Sequence, residues 1–271
     1  VFASPMRTEA VGRPELETDL RRALDREEFT VHYQPIVGLG TGVLQGFEAL
    51  VRWNHPQKGL LLPAAFLQAA EDTRLIIPLG QWVIGEVCRQ ISTWSQPDSG
   101  LDPLPVHVNV SAHQLASPDL IGHVEEAVRA TTTPPGLLHL ELTESTMMEN
   151  AEATVRTFRR LRDLRVELSI DDFGTGYSSL SYLHRVPTES VKIDRSFIAR
   201  MGPRGRHSDI VRTIIDLARD LSMRVVAEGI ETEAQAAALR AMRCDGGQGY
   251  LFSKPLPAAD ATQLILEEPT W

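Results

Sequence analysis

Residues 138–180 read LHLELTESTMMENAEATVRTFRRLRDLRVELSIDDFGTGYSSL. Residues 138–142 are a short apolar run, residues 151–164 repeat apolar positions at helical spacing, and residues 166–170 are a second apolar run. Two strands joined through a helix pair in parallel, because an antiparallel neighbour needs only a tight turn. Both runs end in acids: Glu141 and Glu144 on the first, Asp171 and Asp172 on the second. Neighbouring strand residues face opposite ways, so Asp171 and Asp172 share one site only if the chain leaves strand geometry there. Gly174 and Gly176 permit such a bend. Taken alone, the stretch reads equally well as a solvated turn.

The same rhythm extends in both directions. Upstream, residues 15–26 form an amphipathic helical pattern through Leu16, Leu20 and Ala23. Residues 29–37 read as a strand whose Pro35 implies an edge position or an early end to pairing. Residues 38–42 are too short for a crossover, so the next strand, 43–53, is its antiparallel partner. Helices near 63–71 and 78–94, a strand at 106–110 and a helix at 118–131 follow. Downstream come strands at 190–193, 224–227 and 247–251, with helices at 208–221, 231–242 and 258–266. Eight strands alternating with helices predict an α/β fold: a modified TIM-type (β/α)8 barrel with an antiparallel first strand. An open doubly wound sheet is the structural alternative. Residues 1–14 read as a linker or tail, and residues 15–268 as one barrel domain.

Composition narrows the function. Of 271 residues, 42% are hydrophobic and 23% charged, which suits a globular chain with a large core. A net charge of -9 argues against DNA or RNA binding, which needs a basic face. No apolar run approaches the roughly 20 residues needed to span a bilayer, so no membrane contact is expected of this segment. Two unclustered cysteines, Cys88 and Cys244, suit a reducing, cytoplasmic setting. The eight histidines show no metal spacing and read as structural.

Barrel active sites lie at the C-terminal strand ends. Those ends carry Glu48, Asn109, Glu141 with Glu144, Asp171 with Asp172, Lys192 with Asp194, Glu228 with Glu231, and Gln248. Crowded carboxylates repel one another without cations between them. An all-oxygen donor set favours Mg²⁺ or Mn²⁺ over Zn²⁺. Two ions sharing an aspartate is the economical arrangement. Glu48, Leu50 and Arg52 share one strand face, and the Arg52 fork suits a phosphate or a guanine edge. Lys192 reads as a contact to water or phosphate, or as a salt bridge to one of the acids.

These residues carry a resemblance. Residues 48–53 (EALVRW) resemble the signature of EAL-domain phosphodiesterases. The blocks YQPIV (33–37), NVS (109–111), ELTE (141–144), DDFGTGYSSL (171–180), VKID (191–194), AEGIE (227–231) and QGY (248–250) resemble that family's motifs, in order. The resemblance implies hydrolysis of cyclic di-GMP to linear pGpG with two divalent cations, Mg²⁺ or Mn²⁺, and inhibition by Ca²⁺. It implies Glu48, Asn109, Glu141 and Asp171 as ligands of one cation. Asp171 and Asp172 would be ligands of the second, and Glu228 a second-site ligand or general base. It implies Lys192 beside the attacking water, and Glu231 and Gln248 in the water network and far wall. Substrate contacts would come from Gln34, Leu50, Arg52 and Gln248, and Glu144 would anchor the loop at 173–180. A homodimer and an upstream sensory or GGDEF domain are expected of the parent protein; residues 1–3 resemble the last strand of such a domain. The alternative within the family is a silent cyclic di-GMP receptor or scaffold.

Overall fold

The computed structural model describes residues 6–149, 151–175, 186–202 and 206–271. Residues 1–3, read above as the end of a preceding domain, lie outside these. The helical pattern near the amino end forms Met6–Asp25, so the helix starts inside the stretch expected to be a linker.

Strand β1 (Phe29–Gly38) and strand β2 (Leu44–His55) form the expected antiparallel hairpin, with Gln34 opposite Glu48. A short β3 (Gly59–Leu61) adds to the far end of β2. From β2 the sheet runs parallel through β4 (Val106–Asn109), β5 (Leu138–Thr143), β6 (Glu167–Phe173), β7 (Ser190–Ile193) and β8 (Arg224–Ala227) to β9 (Gly246–Gly247). β9 pairs antiparallel with β1, Val37 opposite Gly247, and the sheet closes. Eight strands thus make a barrel with one reversed member, and the open-sheet alternative falls. A two-residue β10 (Leu256–Pro257) adds antiparallel to β1 outside this ring.

Pro35 does not mark an edge. β1 pairs with β2 along its length and has neighbours on its other side as well. Those neighbours engage Tyr33 and Val37 and skip the residues between. Phe47, opposite Pro35, sends its N–H away from β1 to Pro105 O at 3.0 Å, so Pro35's missing donor falls in the unpaired gap. The last strand is shorter than the expected 247–251. After Gly247 the chain leaves the ladder and hydrogen-bonds to residues 227–230. The helix expected at 231–242 begins at Glu233, where Thr232 and Gln235 form a capping box. Glu231 therefore sits in the loop at the barrel mouth. Short helices Ala112–Leu115, Glu144–Glu149 and Arg195–Ala199, not expected from the sequence, directly follow β4, β5 and β7.

The main core lies between barrel wall and outer helices, where Phe47, Trp94, Phe158 and Leu168 are fully enclosed. A second cluster, including Leu20, Phe29, Trp53 and Phe66, seals the Met6–Asp25 helix onto the β1–β2 hairpin. There Trp53 Nε1 donates to Glu28 Oε2 at 3.0 Å.

The turn after β9 is held by close backbone contact. A Cβ on Gly249 would stand 2.1 Å from Ile230 O and 2.3 Å from Ile230 N. Neither is the movable end of a side chain. Gly249→Ala is expected to lower unfolding free energy by about 1–3 kcal/mol or more, as overpacking does. Urea titration followed by circular dichroism measures this, and an unchanged midpoint would contradict it.

Candidate active site

Strand registers bring the sequence-predicted residues together. Glu48 pairs with Gln34 on one side and His107 on the other. Asn109 stands beside Glu141, and Thr143 beside Asp171. Because side chains alternate, Glu48, Asn109, Glu141 and Asp171 all face the barrel interior near its C-terminal mouth.

At the centre is Lys192, fully buried. Its Nζ lies 3.0 Å from Glu48 Oε2, 2.9 Å from Glu141 Oε2 and 2.5 Å from Glu228 Oε1. The salt-bridge reading of this lysine therefore extends to three acids at once. Asn109 Nδ2 donates to Glu48 Oε1 at 2.6 Å. Gln248 Nε2 donates to Glu48 Oε2 at 2.7 Å and to Gln34 Oε1 at 2.9 Å. Gln34 in turn donates to Ser253 O at 3.1 Å. Glu48, Leu50, Asp171, Glu228, Glu231, Gln34 and Gln248 line one cleft. Arg52 is buried beside them without lining the cleft, and its Nη1 donates to Val51 O at 3.0 Å.

The bend that unites Asp171 and Asp172 occurs at Asp172 itself. Asp172 has φ 53°, the left-handed region that Asp tolerates better than most residues. The β6–β7 register shifts between Ile170 and Phe173, and Gly174 follows with φ 98°. Asp172 N–H donates to Asp171 Oδ1 at 2.8 Å. Carboxylate oxygens of Asp171, Asp172 and Glu228 consequently lie within 4.8 Å of one another. Glu144 Oε2 accepts from Gly174 N–H at 2.9 Å, pinning the first residues of the following loop. Residues 176–180 of that loop lie outside the described residues.

The electrostatics are those of an acid cluster short of positive charge. Burial, opposed by Lys192, pushes Glu141 up to about 7 and Asp171 up to about 6. Burial and the neighbouring Asp171 raise Asp172 to about 6. Glu228 is likewise raised by burial. Glu48 is the exception: burial opposes its ionisation, but Lys192 with the Gln248 and Asn109 amides holds it below the usual range. Burial would lower Lys192, yet Glu141, Glu228 and Glu48 raise it, so it stays charged. Lys192 is thus unlike the low-pKa lysine that forms Schiff bases. The donors fit hard divalent cations: Asp171, Asp172 and Glu228 converge with oxygen atoms only, and Glu48, Asn109 and Glu141 stand beside them.

Other residues at the site were not singled out from the sequence. Arg195, Gly249 and Tyr250 also line the cleft. Asp194, which the sequence placed at the end of its strand with Lys192, hydrogen-bonds Asp172 and caps the helix Arg195–Ala199. His107, read as structural, places Nδ1 2.7 Å from Glu141 Oε1. One signal was present: His107 is two residues before Asn109 and so shares its inward face.

A model of the EAL domain family matches residues 17–255. The bifunctional diguanylate cyclase/cyclic di-GMP phosphodiesterase MucR of Pseudomonas aeruginosa is 44% identical over 257 residues, covering 95% of this chain and 37% of that protein. The cyclic di-GMP phosphodiesterase NbdA of the same organism is 42% identical over 264 residues, covering 97% of this chain and 34% of that protein. The chain thus spans about a third of the length of these curated relatives. Among solved structures, the PaMucR phosphodiesterase in its c-di-GMP complex superposes with a TM-score of 0.87 at 44% identity, covering 91% of this chain and 99% of that one. The EAL enzyme Bd1971, in its cAMP- and cyclic-di-GMP-bound form, gives a TM-score of 0.88 at 34% identity, covering 95% and 70%.

The raised acids carry a sign. With folded pKa values above their ordinary ones, Asp171 and Asp172 hold protons that the unfolded chain releases. Their contribution to stability therefore falls as pH rises from about 4 to about 6. A divalent cation competes with those protons and relieves the repulsion that follows their loss. Excess Mg²⁺ is expected to raise the thermal midpoint more at about pH 7.5 than at about pH 5. Differential scanning calorimetry at the two pH values checks this, and a Mg²⁺ response that does not grow with pH would count against a cation site.

Proposed function

The chain belongs to the EAL domain family, and on that premise we propose that it hydrolyses cyclic di-GMP to linear pGpG. The observation that carries the proposal is the convergence of Asp171, Asp172 and Glu228 beside the Lys192–Glu48–Glu141 network. The family resemblance assigns a ligand role to Glu48, Glu141, Asp171 and Asp172 and a ligand or general-base role to Glu228, and none of them is replaced.

In this reading Glu48, Asn109, Glu141 and Asp171 hold one divalent cation, Mg²⁺ or Mn²⁺. Asp171 and Asp172 would hold a second, with Glu228 as its further ligand or as the general base. Such cations supply activation of water toward phosphorus and neutralise charge on the phosphate. The protein's own part is positioning. Lys192 carries a fixed positive charge at the acid centre, where it orients water and offsets phosphate charge. Gln248 ties Gln34 to Glu48, so the substrate wall and the acid centre move as one unit. Leu50 offers an apolar surface to a base, and Arg52 a planar fork to a phosphate or guanine. Glu231, at the cleft rim, holds water. Glu144 holds the loop after Asp172 against the acid pair through Gly174.

We further propose that the parent protein carries an upstream sensory or cyclase-type domain, works as a homodimer in the cytoplasm, and is inhibited by Ca²⁺. The greater length of the relatives supports the first of these. Among the described residues, no helix is long and apolar enough to cross a membrane.

Incubating the purified chain with cyclic di-GMP and Mg²⁺ or Mn²⁺, with chromatography for pGpG, tests the reading directly. Glu48→Ala and Asp171→Asn are expected to lose at least about a hundredfold in turnover. Tight binding of cyclic di-GMP without product by the unaltered chain would favour a receptor instead. Glu144→Ala is expected to weaken Mn²⁺ binding severalfold while leaving the circular dichroism spectrum intact. Unchanged Mn²⁺ affinity would sink the anchoring role.

A further inference from the structure

The layer of the barrel interior just beneath the acid centre is polar where barrels usually hold branched aliphatics. His107 and His139 pair across β4 and β5, their ring centroids 4.4 Å apart at 44°. Both are buried. His107 Nδ1 lies 2.7 Å from Glu141 Oε1, and His139 Nε2 lies 3.1 Å from Gly136 O. A backbone carbonyl only accepts, and so does Glu141 in the ionised form that would hold a cation; in that form both ring nitrogens carry the hydrogens. His139 Nδ1 then stays buried without a hydrogen-bond partner. Aliphatic side chains would fill this space without leaving a polar atom unpaired, so packing alone does not account for the pair.

Glu141 is fully buried, and its two oxygens are held from opposite sides: Oε1 by His107, Oε2 by Lys192. The lysine is a point charge on a long stem, shared among three carboxylates, and sets no single direction at Glu141. The imidazole is a rigid donor on a short one, braced by the His139 ring. We propose that His107, backed by His139, is a positioning residue that fixes the rotation of the Glu141 carboxylate and so presets its geometry toward a divalent cation. This rests on the reading of Glu141 as a cation ligand. It assigns a role to residues outside every motif that carries the family resemblance. Donors of this kind behind a metal ligand set its orientation and basicity, and their loss commonly costs about 10–100-fold in metal affinity.

The test is direct Mn²⁺ binding to the 271-residue chain, read as free Mn²⁺ by electron paramagnetic resonance, with no substrate present. His107→Leu keeps volume and removes the donor; it is expected to weaken Mn²⁺ binding about 10–100-fold. His107→Asn places an N–H near the Nδ1 position and is expected to stay within about threefold of the parent. His107→Gln, whose donor reaches past that position, is expected to resemble the leucine variant, and it serves if the leucine variant does not fold. Glu141→Gln is the reference. If it weakens Mn²⁺ binding while His107→Leu and His107→Gln match the parent, the positioning role is overturned. If Glu141→Gln binds as tightly as the parent, Glu141 is not a ligand, and both the cation assignment and this inference fall.

Discussion

The site depends on one buried ammonium group. Lys192 has no contact with solvent, and burying an uncompensated charge costs several kcal/mol. It persists because Glu48, Glu141 and Glu228 surround it. Those carboxylates in turn tolerate burial because the lysine is there. The compensation is incomplete. One positive charge faces five carboxyl groups, the three just named plus Asp171 and Asp172. Protons or metal cations must supply the remainder; burial first, and the surplus of neighbouring carboxylates after it, holds acids that titrate near 4 in water up near 6 and 7. The strand registers decide the rest, since each acid reaches the lysine only if its strand pairs as observed.

Much of this was legible in the sequence. Apolar runs alternating with helical patterns gave strands and topology, because both faces of a parallel strand are buried and leave a continuous signal. The reversed first strand followed from a connection too short for a crossover. The acids at strand ends were visible because they interrupt apolar runs. The rest depended on tertiary packing. The last strand was expected at 247–251, but β9 is Gly246 and Gly247, where no side-chain pattern marks the bounds. Pro35 looked like an edge signal because the gap that accommodates its missing donor lies on β1's other neighbours. Asp172 bends the chain where two glycines nearby seemed the better candidates. His107 meant nothing alone; its contact with Glu141 needs β4 and β5 in register.

The barrel interior is polar for more than one layer. Beneath the acids, Ser169 and Ser190 share a 2.6 Å hydrogen bond, and His107 packs on His139. Polar groups in a core are tolerated when paired and costly when not. The pairing here is nearly complete, with His139 Nδ1 and, in the acid layer, Gln248 Oε1 left over. Stability is thus sought in the outer layer, between wall and helices, where Phe158, Leu168 and Val211 pack without polar atoms. The inside of the barrel is shaped for charge, and the outside holds the fold.

The reversed β1 has a topological consequence. In an all-parallel barrel the chain enters at the floor, opposite the site. Here Phe29, the first residue of β1, pairs with Trp53 near the C-terminal end of β2. The amino-terminal helix therefore meets the barrel on the rim that carries the acid centre, one residue pair away from Arg52. Phe29, Trp53 and Phe66 join that helix to the rim directly, without passing through the barrel. The fold has, in effect, a handle mounted on the lid side.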